Sequence, residues 1–288
     1  MKLNSLPISA TLMFGRLFVR PLVRIRKILG LPLIVRVQRR GLNYELDLSE
    51  GIDSSIYLKG DFEKDVRLSI EQHTAPGMGV LDIGANIGGH TLDFAKCVGV
   101  EGIVYAFEPT QFAFKKLQIH CSLNPDLKII PLQIGLTDHQ NTPLPEMISS
   151  SWNLVRNSKE ANPLDYGFAQ SIQGARQLSL DQWVLETNIN QIDIIKIDVD
   201  GQETKVLRGG IETLKKFKPK LIMEFAPHHF TNSNETFMDM LQILISLNYK
   251  FERLDGITID DSPENIQKNI PRGVLLYVVA KAKDTNYH

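Results

Sequence analysis

The chain has 288 residues, 43% of them hydrophobic and 23% charged, with a formal net charge of −1 at pH 7. That length buries a sizeable core, and that composition excludes a disordered chain and a polytopic membrane protein. Its two cysteines, Cys97 and Cys121, lack metal-ligand spacing and are too few for a disulfide framework, so they read as small core residues of a reducing compartment.

The near-zero net charge hides an asymmetry. Residues 1–44 hold nine Lys or Arg and no acid, whereas the remainder carries 23 bases against 33 acids. Charges interrupt the apolar run FGRLFVRPLVRIRKILGLPLIV, so no stretch approaches the roughly 18 residues that a membrane-spanning helix needs. No charge-free h-region with an A-x-A-like cleavage site is present either. The segment reads as a basic amphipathic element lying on an anionic membrane or partner, or as a subdomain packed on the body with its arginines solvated. Its Arg-rich, acid-free character also resembles an organelle transit peptide. The expected organisation is a basic N-terminal segment (1–44), a cap (45–78) and a core domain (79–288). The expected location is cytoplasmic, with peripheral membrane contact through residues 1–40 as the variant.

From residue 79 short apolar runs alternate with helical patterns. Residues 79–83 have the length and composition of a buried strand, followed by a glycine loop and a helix near 91–97. Residues 103–107 form a second strand ahead of a helix over 111–121. In a third strand, 128–133, Pro131 cannot donate to a ladder, which puts that strand at an edge. Residues 138–177 break the rhythm. They hold Ser149, Ser150, Ser151 and Trp152 and exceed an ordinary connection, so they read as a functional excursion or a lid. Strands follow at 192–197 and 221–225 with a helix over 203–217 between them. A helix over 235–247 carries Phe237, Met240, Leu241, Leu244 and Leu247 at core spacing. Runs at 249–254 and 274–280 have no helical pattern between them and should pair antiparallel. The fold expected is α/β: a seven-stranded, mostly parallel sheet in the order 3-2-1-4-5-7-6, its last strand reversed, with helices on both faces.

The loop after the first strand reads VLDIGANIGGHT, residues Val80 to Thr91. In the dinucleotide fingerprint a second glycine lets the backbone approach a pyrophosphate, but here Asn86 takes that place, within Gly84, Ala85, Asn86, Ile87 and Gly88. Asp82, just ahead of the loop, would repel phosphate and attract a cationic ligand. S-adenosylmethionine carries an ammonium and a sulfonium and no phosphate, so it fits; the plainer alternative is that Asp82 caps the loop backbone. At the end of the second strand, Phe107 to Pro109 read FEP, which places Glu108 to accept hydrogen bonds from ribose hydroxyls. After the fourth strand, IKIDVDGQE puts Asp198 and Asp200 beside the switch point. There a carboxylate can orient an acceptor hydroxyl or take its proton. Asp200 with Glu203 fits a helix capping box equally well.

These motifs resemble the FkbM family of S-adenosylmethionine-dependent methyltransferases, within the Rossmann-like class I fold. The carriers are YELDL from Tyr44, IYLKGDFE from Ile56, the glycine loop, VYAFEP, SLDQW from Ser179, DIIKIDVDGQE from Asp193, VLRGG from Val206 and KPKLIMEF, spread over residues 43–282. The resemblance implies that Asp82, Gly84, Asn86 and Gly88, with Ala85 in the same loop, surround the methionine part of the cofactor. It assigns Glu108 to the ribose and the turn Gly135, Leu136 to Asp138 to the adenine. It implies O-methylation of a hydroxyl on a small-molecule or glycan-like acceptor, with Asp198 and Asp200 as catalytic candidates. Asp200 stands where the family commonly has glutamate.

Three other readings compete. An NAD-dependent oxidoreductase is opposed by Asp82 and Asn86. A membrane-associated protein that binds a nucleotide-like ligand without turnover would use the N-terminal arginines alone. Nucleic-acid binding needs a basic surface, which the acidic body does not offer. Two or three carboxylates at the fourth strand could also hold Mg²⁺, which takes oxygen ligands, but that reading is not the favoured one and no metal ligand is assigned; transfer from a sulfonium has a good leaving group and needs no strong base. Strand-end position also brings Glu224, His228 and His229 into consideration.

Overall fold

In the computed structural model, residues 15–138, 144–155, 167–232, 235–259, 262–271 and 274–283 are described. Residues 1–14 of the basic segment and two stretches of the excursion, 139–143 and 156–166, lie outside them.

After a π-helical turn (Gly15–Val19), helix α1 (Arg20–Ile28) leads into an antiparallel hairpin, β1 (Ile34–Arg39) and β2 (Leu42–Asp47). Strand β2 runs through the boundary placed after residue 44, so the basic segment and the cap share one two-stranded sheet. Its alternate residues Leu42, Tyr44 and Leu46 are buried in a cluster with Ile56, Ile87 and Leu92. The cap continues as α2 (Gly51–Lys59) and α3 (Lys64–His73).

The main sheet is built from β3 (Gly79–Ile83), β4 (Ile103–Phe107) and β5 (Ile129–Leu132), with α4 (Gly89–Val98) and α5 (Gln111–Leu123) as crossovers. The chain then makes β6 (Ile134–Leu136), a hairpin of β7 (Met147–Ser151) with β8 (Phe168–Ser171), and β9 (Arg176–Leu178), which pairs with β6. Helix α6 (Leu180–Thr187), β10 (Ile194–Ile197), α7 (Glu203–Arg208), α8 (Ile211–Phe217) and β11 (Lys220–Phe225) follow. The C-terminal part holds α9 (Phe237–Ser246), β12 (Tyr249–Arg253), β13 (Thr258–Ile259), α10 (Pro263–Asn269) and β14 (Leu276–Ala282).

Strand order is β13-β12-β14-β11-β10-β3-β4-β5, which is the expected 3-2-1-4-5-7-6 with the short β13 added outside β12. Strand β14 is antiparallel to both its neighbours, and Pro131 sits in the edge strand β5. Period-two alternation sorts the strands onto two faces: Leu81, Ile83, Ile195, Ile197, Leu221 and Met223 enter one cluster, Val80, Ile194 and Ile222 the other.

Two expectations are corrected. The helix over 203–217 is two helices, because a Cβ on Gly209 would lie 2.2 Å from the Thr137 carbonyl oxygen and one on Gly210 2.8 Å from Leu180. The glycine pair ends α7 so that neighbouring chain can pack against it. The connection between β12 and β14 also contains α10, a short helix with Ser262 capping its N-terminus and one buried apolar side chain, Ile266. Its apolar stripe is too sparse to show as periodicity.

Candidate active site

A cavity of about 1240 Å³ opens where β3, β4, β10 and β11 end. Gly84 leaves β3 with φ +80°, and a Cβ there would lie 1.9 Å from the Asp198 carbonyl oxygen, so only glycine lets this loop pass the turn after β10. The N–H groups of Gly84 and Ala85 both donate to the Phe107 carbonyl, at 3.0 and 2.9 Å, which ties the loop to the end of β4. Asn86 has φ +49°, a conformation that asparagine tolerates better than most residues. Its side-chain oxygen accepts from the Ile87 N–H at 2.8 Å and its Nδ2 donates to the Ser150 carbonyl at 3.3 Å, fastening the loop to the β7–β8 hairpin. Gly88, at φ +90°, caps α4 from its N-terminal end, where a Cβ would strike Leu117.

Glu108 lies beside this loop and is buried. Its Oε2 accepts from the Asn86 N–H at 3.0 Å, and its Oε1 accepts from the Thr110 N–H at 2.9 Å and the Thr110 hydroxyl at 2.5 Å. Burial raises its pKa against the pull of those donors. A carboxylate has about four lone-pair positions, so three donors leave one for a ligand. Phe107, Ile134, Gly135, Leu136 and Leu144 make an apolar wall next to it. Gly135 keeps that wall thin: a Cβ would lie 2.2 Å from Leu144 Cδ1. Asp138 is not part of the lining, and neither is Gly88.

Asp82 also stands outside the cavity. It is fully buried in β3, in register with Lys196 of β10. Lys196 Nζ lies 3.7 Å from Asp82 Oδ1 and 3.0 Å from Asp198 Oδ2, and the Thr91 hydroxyl donates to Asp82 Oδ2 at 2.5 Å. The carboxylate expected to meet a ligand's ammonium instead faces a lysine of its own sheet. Burial disfavours the Lys196 charge, but Asp198 and Asp82 outweigh it and hold the ammonium well above its ordinary pKa. In turn, burial opposes the Asp198 charge, yet Lys196 and Tyr277 keep that carboxyl below its ordinary range. The Tyr277 hydroxyl lies 2.9 Å from Asp198 Oδ2 and 3.0 Å from Glu63 Oε2. It has one proton, so it donates to one of the two at a time. Glu63 also meets His90 Nε2 at 3.1 Å. Burial works against His90 protonation, but Asp93 and Glu63 win and raise its pKa to about 9.

The second acidic position sits differently. Asp200 has φ +49° and lines the cavity with Glu224, His228 and His229. His229 Nδ1 lies 3.4 Å from Glu224 Oε2 and 3.9 Å from Asp200 Oδ1. Burial disfavours the His229 charge, but Glu224 and Asp200 raise its pKa to about 9. Burial and the neighbouring His229 push His228 down to about 4. The capping box expected of Asp200 and Glu203 takes another form: the N-cap of α7 is Gln202, and the Glu203 carboxylate accepts from the Val199 and Gly201 N–H groups, bracing the turn.

The fold therefore brings Gly84, Ala85, Asn86, Glu108, Gly135, Leu136, Asp198 and Asp200 to one cavity and holds Asp82, Gly88 and Asp138 behind or beside it. Glu63, Asn86 and Asp200, three non-glycine residues with positive φ, all line it. Such strain of roughly 1–3 kcal/mol per residue gathers at functional sites. The sequence pattern did not single out Lys196, Tyr277, Glu63 or His90. One signal was available for Lys196, a charge set alone inside the apolar strand IIKI.

Residues 82–251 match the methyltransferase FkbM domain family. The chain is similar to hexuronic acid methyltransferase AglP of Haloferax volcanii, 27% identical over 191 residues that cover 64% of this chain and 70% of the relative. Among solved structures it is similar to a SAM dependent methyltransferase from Aquifex aeolicus, at 15% identity and TM-score 0.41 over 80% of this chain and 98% of the other. It is also similar to M. jannaschii TYW2 in complex with AdoMet, at 14% identity and TM-score 0.42 over 86% and 85% of the two chains.

Proposed function

The chain belongs to the FkbM methyltransferase domain family, and from that premise we propose that it moves the methyl group of S-adenosylmethionine to a hydroxyl oxygen of a sugar or sugar acid. One observation carries the reading: a single cavity joins the Asn86–Glu108 corner to the wall of Asp198, Asp200, Glu224 and the two histidines. At about 1240 Å³ it exceeds the roughly 300–1,000 Å³ that one small ligand occupies, which supports a cofactor and an acceptor side by side.

The residues fit the cofactor. The free lone pair of Glu108 suits a ribose hydroxyl, and the wall of Ile134, Gly135, Leu136 and Leu144 suits a flat base. The cofactor supplies an electrophilic methyl on a sulfonium. The protein's share is geometry: holding the acceptor oxygen in line with that carbon accounts for much of the rate. Asp198, held ionised by Lys196 and Tyr277, serves as a fixed negative charge that keeps the turn after β10 in place. His228 lines the cavity, and burial with the neighbouring His229 lowers its pKa to about 4; it is neutral at pH 7 but a weak base, suited only to the acidic proton that the acceptor oxygen sheds once the methyl has begun to transfer. The similarity to a hexuronic acid methyltransferase supports an oxidised sugar as the acceptor. Labelled methyl transfer from S-adenosylmethionine to glucuronate- and galacturonate-containing oligosaccharides tests it. A product heavier by one methylene whose label resists ester hydrolysis and maps to a hydroxyl oxygen supports the reading; label on nitrogen or carboxylate refutes it.

We further propose that the N-terminal helix rests on an anionic membrane surface. Among the described residues no helix is long and apolar enough to cross a membrane. Helix α1, however, exposes Ile25 and Ile28 beside Arg24 and Lys27, next to exposed Leu17, Phe18 and Leu29. Arg20 lines the cavity and donates to the Leu154 carbonyl, which puts this helix next to the cavity. Flotation with phosphatidylglycerol vesicles, lost when Arg24 and Lys27 become glutamate, is expected; equal flotation with neutral vesicles would refute it.

A further inference from the structure

We propose that Asp200, Glu224 and His229 form a binding site for one divalent transition cation in the acceptor half of the cavity. Among the described residues these three alone present three ligand atoms within 4.8 Å of one another. Two donors that share an ion at about 2.1 Å each lie at most about 4.2 Å apart. The His229–Glu224 and His229–Asp200 pairs, at 3.4 and 3.9 Å, already satisfy that limit.

The protein builds this convergence deliberately. Gly201, at φ +92°, would place a Cβ 3.0 Å from the His229 carbonyl oxygen, so its missing side chain lets the turn Pro227–Asn232 press against the turn that carries Asp200. The Glu203 carboxylate clamps that same turn through the Val199 and Gly201 N–H groups. Glu224 gives an independent sign of a ligand: it is 5% exposed, lines the cavity, and its Oε2 accepts no hydrogen bond of normal geometry, its neighbour being His229 Nδ1 at 3.4 Å. A buried carboxylate oxygen so poorly satisfied is costly, and a divalent cation that displaces the His229 ring proton and sits between the two side chains removes that cost. Two carboxylates cancel the charge of a divalent ion. The imidazole in the set favours a first-row transition ion over Mg²⁺, which prefers oxygen donors throughout, and Mn²⁺, suited to the two carboxylates, is a paramagnetic member of that row to use as a probe. Three protein ligands leave coordination positions open to the cavity. There the ion can hold the acceptor's hydroxyl and a neighbouring oxygen such as a uronate carboxylate, a use that rests on the proposed reaction although the binding itself does not.

The test uses Mn²⁺ alone on the full chain, with free ion followed by electron paramagnetic resonance and S-adenosylmethionine affinity measured separately by calorimetry. Wild type should bind one Mn²⁺ saturably below millimolar concentration. Because loss of an outer-shell partner costs about 10–100-fold in metal affinity, Asp200→Asn and Glu224→Gln should each lose at least about 100-fold while still binding S-adenosylmethionine. The partly exposed Asp200 makes its variant the safer one for folding, and cofactor affinity reports folding in both. Absence of saturable Mn²⁺ binding, or binding that survives in both variants, would overturn the site. Mn²⁺ binding without S-adenosylmethionine binding would leave it standing and sink the methyltransferase reading instead.

Discussion

Replacing Lys196 by methionine removes the charge that sits between two buried carboxylates and keeps the length of the stem. The ammonium is 2% exposed and lies 3.0 Å from Asp198 and 3.7 Å from Asp82. Breaking a buried pair by removing one partner costs about 3–5 kcal/mol. With 1 kcal/mol shifting Tm by roughly 2–4 °C in a chain of this size, Lys196→Met should melt about 6–20 °C lower. Hydrogen bonds from Thr91 to Asp82 and from Tyr277 to Asp198 remain, so the lower half of that span is expected. The pH dependence fixes the sign. With the lysine present, the lowered Asp198 pKa contributes stability above the ordinary carboxylate range that is lost only as pH falls through the lowered value. Without it, the Asp198 carboxyl loses the charge that holds its pKa down, and the deficit is full at pH 7.5 and smaller at pH 5. Scanning calorimetry at the two values, with Lys196→Met/Asp198→Asn as partial rescue, checks this. A Tm within about 2 °C of wild type at pH 7.5 would correspond to less than about 1 kcal/mol and refute the buried-charge reasoning.

Gly84→Ala drives a Cβ into the Asp198 carbonyl at 1.9 Å with φ +80°; destabilisation of about 3 kcal/mol or more is expected by urea unfolding, the upper range for a backbone-strain mechanism. Glu108→Gln should weaken S-adenosylmethionine by about 10-fold or more, since hydrogen bonds to charged groups contribute about 1.5–3 kcal/mol, and should also lower Tm, because the amide turns an NH2 toward the Asn86 or Thr110 donors. His228→Gln should lower kcat by about 100-fold or more if the residue takes the proton, leaving cofactor Kd unchanged; an equal loss in Kd would mean a structural role. His229 and His90 both have pKa values raised to about 9, so their contributions to stability are full below pH 6.5 and lost as pH rises through about 9. The urea midpoint should therefore fall between pH 7 and 9.5, and His229→Gln should flatten but not abolish that slope.

The sheet order and cavity position were legible because they follow from local signals: strand-length apolar runs, Pro131 at the edge, and the Gly84–Glu108 constellation at strand ends. The role of Asp82 was not legible. A sequence places a carboxylate ahead of a glycine loop, but register alone sets Lys196 beside it, and register emerges only when β3 and β10 pair across more than a hundred residues. Tyr277 and Glu63 were hidden for the same reason, since their contact joins β14 to the cap. The split between α7 and α8 was written in Gly209 and Gly210, yet its cause, the approach of the Thr137 carbonyl, is tertiary. Asp138 closed the expected adenine turn, but β6 takes the chain past the cavity before that residue is reached.

Calorimetric binding of S-adenosylmethionine, with NAD as control, to the wild type, Glu108→Gln and Asp82→Asn tests the central claim most directly. The account predicts micromolar binding to the wild type, none of NAD, and a loss in Glu108→Gln that clearly exceeds the loss in Asp82→Asn, because Glu108 lines the cavity and Asp82 does not. NAD binding in place of S-adenosylmethionine, or an affinity untouched by Glu108→Gln, would contradict it.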